Sequence, residues 1–141
     1  MSQVKEKNRG SDMLELATFY VGDALCGIDI LNIQEINKQT EVTVVPQAAE
    51  YVKGVLNLRG KIVSVIDLGQ KIGLSPINQH KDNRNIIVNS HDEHIGLLVD
   101  RISDVMVADP AKIEKPPANI GGIQGRFFEG VFKTDKSLIG I

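Results

Sequence analysis

From Leu14 to Val21 apolar and polar positions alternate, with Leu14, Leu16, Thr18 and Tyr20 sharing one face, and a period of two belongs to a β-strand rather than a helix. Gly22-Asp23 interrupts the run as a turn, and a second strand is predicted over Leu25 to Ile30, making a hairpin. Ile30, Leu31, Ile33 and Ile36 then fall at spacings of three or less among Asn32, Gln34 and Glu35, a pattern that suits either one helical turn or a bent strand. Val42 to Val45 is predicted as a short strand closed by Pro46, with one helical turn over the following QAAEY. The most strongly patterned stretch is a second hairpin, from Tyr51 to Leu58, turning at Arg59-Gly60, and returning from Lys61 to Leu68. The polar, turn-rich segment from Leu74 to Arg84 connects two halves, and a third hairpin follows, Asn85 to Asn89 and Ile95 to Val99 around the tip SHDEH.

The halves resemble one another. Cys26-Gly27-Ile28 through Ile36 lies over Ile95-Gly96-Leu97 through Val105, matching glycine to glycine, aliphatic to aliphatic, and Glu35 to Asp104. Further on, Val52-Lys53-Gly54-Val55-Leu56 lies over Phe128-Glu129-Gly130-Val131-Phe132, the change of offset being absorbed by the Pro- and Gly-rich segment from Pro116 to Gly125. Two matches in the same order imply a pseudo-repeat: two small β-barrels of similar topology packed through a common apolar seam. Ile141 is then the equivalent of Val65, so the last strand is expected to be short, with no helix after it to match GQKIGL. Glycines that recur, Gly54 with Gly130 and Gly27 with Gly96, read as backbone positions that tolerate no side chain. Arg59 does not recur, its counterpart being Asp135, so a turn of this kind does not require arginine; the residue is either a partner contact or an ordinary solvated turn residue.

Composition supports a mostly β protein. Seventeen Ile and fourteen Val outnumber eleven Leu, and side chains branched at Cβ are stiff in helices and pack well on pleated sheets. At 141 residues the chain has room for one domain, residues 13–141, behind a polar arm, residues 1–12, expected to be disordered. A net charge of −2 provides no basic field for nucleic acid or an anionic membrane, and no apolar run is long enough for direct membrane insertion. One cysteine builds no disulfide framework, and the setting expected is the cytoplasm.

Candidate chemistry is sparse. Cys26 lies in an apolar strand without an adjacent His or a CxxC partner and reads as a buried, inert thiol. His91 and His94, with Asp92 and Glu93 between them and His80 elsewhere, suggest a metal-dependent enzyme, but a hairpin tip lacks the i,i+4 helical register of HExxH and no third ligand is fixed nearby. Ser64, between Val63 and Val65, has none of the glycines of a nucleophile elbow, and nothing drives the carboxylates Glu35 and Asp104 toward acid and base roles. No enzyme, metal or cofactor is therefore expected; the small metal enzyme built on His91 and His94 stands as the alternative of a different class.

Three segments, LATFYVGDALCGIDILNIQEI, VVPQAAEYVKGVLNLRGKIVSVIDLGQKIGL and NIIVNSHDEHIGLLVDRISDVM, closely resemble the CheW-like domain of chemotaxis adaptors and of the kinase CheA. The resemblance implies two SH3-like five-stranded barrels, no catalysis, and a coupling role at signalling arrays, peripheral to the membrane. The partners implied are the cytoplasmic tip of a chemoreceptor and the regulatory domain of the histidine kinase CheA. Arg59, with Asn57 in the same NLRG motif, matches a family contact position, and Ile33, Glu35 and Gly54 match positions associated with receptor or kinase binding. The C-terminal helix typical of the family is expected to be absent, and an aromatic more often stands where this chain has Cys26. An adaptor of another chemosensory or motility pathway, or a fragment of the CheV type, fits the same resemblance.

Overall fold

A computed structural model describes residues 13–38, 41–90, 92–120, 123–133 and 138–141; the arm expected over residues 1–12 lies outside them. The first predicted hairpin forms as β1 (Leu14–Val21) and β2 (Ala24–Asp29). The ambiguous stretch after it is both things in turn. A 3₁₀ turn over Ile30–Asn32, begun by the Asp29 carboxylate accepting the Leu31 N–H at 3.0 Å, leads into strand β3 (Ile33–Asn37). The second hairpin is β4 (Val52–Leu58) with β5 (Lys61–Asp67), and the third is β6 (Arg84–Ser90) with β7 (Glu93–Val99). An eighth strand, β8 (Arg101–Ala108), precedes the two-residue strands β9 (Asn119–Ile120) and β10 (Ile123–Gln124), and β11 (Val131–Lys133) pairs with the short β12 (Leu138–Gly140).

Two expectations fail locally. Val42 to Val45 is not a strand; only Thr43 bridges to Val55, through N–H···O bonds of 2.8 and 2.9 Å, before the chain turns away at Pro46. Nor does QAAEY form a helical turn, since Gln47 takes a φ of 63°, outside the right-handed helical region.

The main strands form two five-stranded sheets, ordered β11-β12-β2-β1-β8 and β3-β6-β7-β5-β4. Replacing each strand by its repeat equivalent turns one order into the other, so the pseudo-repeat is present strand for strand. The registers agree as well: parallel Ser64↔Ile95 has its counterpart in parallel Gly140↔Cys26, and antiparallel Ile36↔Ile86 in Val105↔Ala17. Even the isolated bridge Thr43↔Val55 recurs as Glu114↔Val131. The repeats and the barrels nevertheless do not coincide. Each sheet takes its central hairpin from one half of the sequence and its other three strands from the other half.

This exchange explains why β1 is buried on both faces from Leu16 to Phe19, where the alternation predicts one. Leu16 and Ile139 close in on Gly27 inside the first sheet's barrel, while Phe19 and Val21 join Val63, Val65, Ile86, Ile87, Leu98 and Val99 in the core shared with the second. The buried Thr18 hydroxyl is satisfied by donating to the Asp104 carbonyl, where β8 bulges. After β5 the buried Asp67 carboxylate accepts the Gln70 N–H at 3.0 Å, capping the single-turn helix α1 (Leu68–Lys71), and the Ile77 N–H at 2.9 Å, pinning the connector between the halves.

Candidate functional site

The turn between β4 and β5 has two central residues, Arg59 and Gly60, with φ values of 52° and 82°. Positive φ at both central positions matches the twist of a two-residue hairpin and is normally supplied by Asn-Gly or Gly-Gly, so arginine is an unfavourable occupant of the first. Asn57 offsets part of that cost, its side-chain oxygen accepting the Gly60 N–H at 2.9 Å. The turn directs the Arg59 guanidinium to the Glu35 carboxylate, forming an ion pair in which the arginine side chain stays 72% exposed and the glutamate 26%. Glu35 lies on β3 and Arg59 adjoins β4, the first and last strands of their sheet, so the pair joins the two ends that no backbone ladder connects.

Around this pair lies a depression of about 410 Å³ to which all five strands of the sheet contribute. It is therefore the mouth of the barrel. Leu58, Val63 and Ile87 supply its apolar part, and Gln34, Glu35, Arg59, Lys61 and His94 its polar part. His94 Nδ1 lies 2.8 Å from Gln34 Oε1, tying β7 to the bulge of β3. Beside the mouth in sequence, Ile36 and Ile62 are 42% and 62% exposed. Large apolar side chains left in water on the strands that carry an exposed ion pair mark a region on which another protein can settle.

The five residues singled out from the sequence separate into two kinds. Arg59 and Glu35 come together at the mouth, and Asn57 holds the turn that presents Arg59. Ile33 opens β3 and is half-buried against the shared core. Gly54 does not line the mouth: a Cβ there would stand 2.8 Å from Val42 Cγ2 and 2.9 Å from the Thr43 carbonyl carbon, so it lets the Thr43 bridge approach β4. Gly130 holds the equivalent place under Ile113 and Glu114. Sequence reasoning misses Lys61 and the Gln34–His94 contact; Lys61 is legible as a turn neighbour of Arg59, whereas Gln34 and His94 meet only through the exchange of strands.

His94 is thus engaged by an amide, and His91 lies outside the described residues. Among the described residues no three His, Cys, Asp or Glu side chains are grouped as a metal ion requires. Cys26 is buried, and burial pushes its thiol up to about 12, which leaves it protonated and unreactive near neutrality. Asp104, the repeat equivalent of Glu35, is exposed, and Asp135, the equivalent of Arg59, lies outside the described residues. No helix among the described residues is long and apolar enough to cross a membrane.

The model of the CheW-like domain matches residues 15–141. The chain belongs to the CheW-like family. It is 33% identical to the chemotaxis protein CheW of Helicobacter pylori, over 97% of this chain and 86% of that one. With the chemotaxis protein CheW of Treponema pallidum it shares 31% identity over 91% of its own length and 78% of the relative's. The crystal structure of the scaffolding protein TtCheW from Thermoanaerobacter tengcongensis superposes with a TM-score of 0.85 at 34% identity, covering 96% of this chain and 89% of that one. The expected CheW-like fold of two five-stranded barrels is the fold found, and the protein is a chemotaxis scaffold.

Proposed function

We propose that this chain couples the cytoplasmic tip of a chemoreceptor to the regulatory domain of the histidine kinase CheA, as an adaptor that catalyses nothing itself, in the cytoplasm beside membrane receptor arrays. The observation that carries the reading is the exposed Arg59–Glu35 pair at a barrel mouth lined by strands that also carry the exposed Ile36 and Ile62, in a chain of the CheW-like family. A receptor tip is a helical hairpin, and a helix docks by laying apolar side chains on a surface while charges at the rim fix its register and orientation. Arg59 suits the orienting role. Its unfavourable backbone geometry does nothing for the hairpin that Asn or Gly would not do better, and strain of this kind collects where a side chain must be presented. Gly54 and Asn57 support the surface indirectly, one by admitting the neighbouring bridge and the other by holding the turn. Ile33 contributes by anchoring β3, the strand that carries Glu35.

The test is a titration of the purified chain against a soluble receptor signalling tip and, separately, the kinase regulatory domain, with Arg59→Ala alongside. Specific binding to both partners, weakened by Arg59→Ala at unchanged melting temperature, is the expected result. Binding to neither partner overturns the coupling role, and stoichiometric zinc or nickel retained through dialysis would restore the metal-enzyme alternative.

A further inference from the structure

Charge at the barrel mouth is unbalanced. Its one carboxylate, Glu35, is engaged by Arg59, and that contact uses a single nitrogen, Nη2, of a guanidinium that carries five N–H donors. Lys61, on the same rim and exposed, has no acidic partner among the described residues. On a chain whose net charge is −2 this is a local cationic rim around an apolar floor. We propose that the mouth seats a carboxylate, an Asp or Glu side chain on the receptor helix, held between the Lys61 ammonium and the outward donors of Arg59, with an apolar neighbour of that residue resting on the half-buried Leu58. The inference rests on the coupling reading and adds the chemistry of the partner residue. Residues three or four apart on a helix present their side chains side by side, so one acidic and one apolar residue at that spacing can reach rim and floor together. Lys61 is then a specificity-determining contact: a flexible point charge that rewards an acidic partner and repels a basic one.

The experiment measures affinity for the soluble receptor tip at low and physiological salt, for the wild-type chain and for Lys61→Met and Lys61→Glu. Lys61→Met should weaken binding about fivefold and flatten its salt dependence, as the loss of a rim charge does. Lys61→Glu should weaken it further, and a receptor tip carrying Lys in place of one of its acidic residues should restore that loss. Melting temperatures should stay within about 2 °C, since the side chain is exposed. The proposal falls if Lys61→Met leaves affinity and salt dependence unchanged while Arg59→Ala still weakens binding; the coupling role then survives without the acidic seat. Absence of wild-type binding removes both. Loss of kinase binding with the receptor tip unaffected also overturns the seat as stated.

Discussion

Arg59 combines an unfavourable backbone with an exposed ion pair, and these two facts fix what its removal should do. Exposed pairs are worth about 0–1 kcal/mol, and alanine at positive φ keeps the strain, so Arg59→Ala should lower stability by less than about 1 kcal/mol in a denaturant melt. Arg59→Asn, suited to the same turn, should match or exceed the wild type while still losing partner affinity. Gly54 behaves in the opposite way. A valine side chain there meets Val42 and the Thr43 backbone, and Gly54→Val should cost about 2 kcal/mol or more, read as a fall in midpoint; an unaltered melt would contradict the close approach. Cys26 gives a dependence on pH. Its thiol ionises near 9 when exposed and near 12 when folded, so the folded chain holds the proton that the unfolded chain has lost between those values. The contribution is intact below pH 9 and declines by up to about 1.4 kcal/mol per unit above it, so wild type should lose more stability than Cys26→Ala between pH 8 and pH 10.5. Of these residues the sequence exposes Gly54 through its recurrence and Arg59 through its failure to recur. Lys61 is legible only as a neighbour of the Arg59 turn, and the Gln34–His94 contact is not legible at all, because its two residues come from different halves of the chain.

At the scale of elements, hairpins are the most legible feature, since alternation and turn residues act between neighbours in sequence. The stretch from Val42 to Val45 misleads for the same reason: four β-branched residues have strand propensity, but only Thr43 bridges to β4, at the close approach that Gly54 permits. Asp67 is the reverse case. In the VIDL segment it looks like an ordinary polar end to a strand, yet its two oxygens cap α1 and hold the Ile77 N–H of the connector. Asp67→Ala should destabilise by about 2–3 kcal/mol, one buried and one partly buried N–H group losing their acceptor, with Asp67→Asn recovering part of it; equilibrium unfolding of the three proteins decides.

For the whole molecule, the two barrels are legible through the repeat, whereas the crossing of strands between them is not. Periodicity reports which face of a strand is apolar, and either partner hairpin would satisfy it. Only the complete set of pairings, parallel at β5–β7 and β12–β2, settles which half supplies which strand. Because every barrel needs both halves, unfolding should be a single transition, with calorimetric and van't Hoff enthalpies in agreement, and two resolved transitions would argue for separable barrels.

The exchanged strands also bear on origin. A single repeat has a hairpin, a third strand and a second hairpin, but its two parts lie in different barrels, so one repeat alone encloses nothing. Two copies of it, each lending its first hairpin to the other, would build both barrels at once. The present chain has the topology of such a swapped homodimer whose subunits became joined end to end, with Leu74 to Arg84 as the splice. Two identical copies joined in this way would present the same face twice; in the present chain Arg59 corresponds in sequence to Asp135, so the two faces differ.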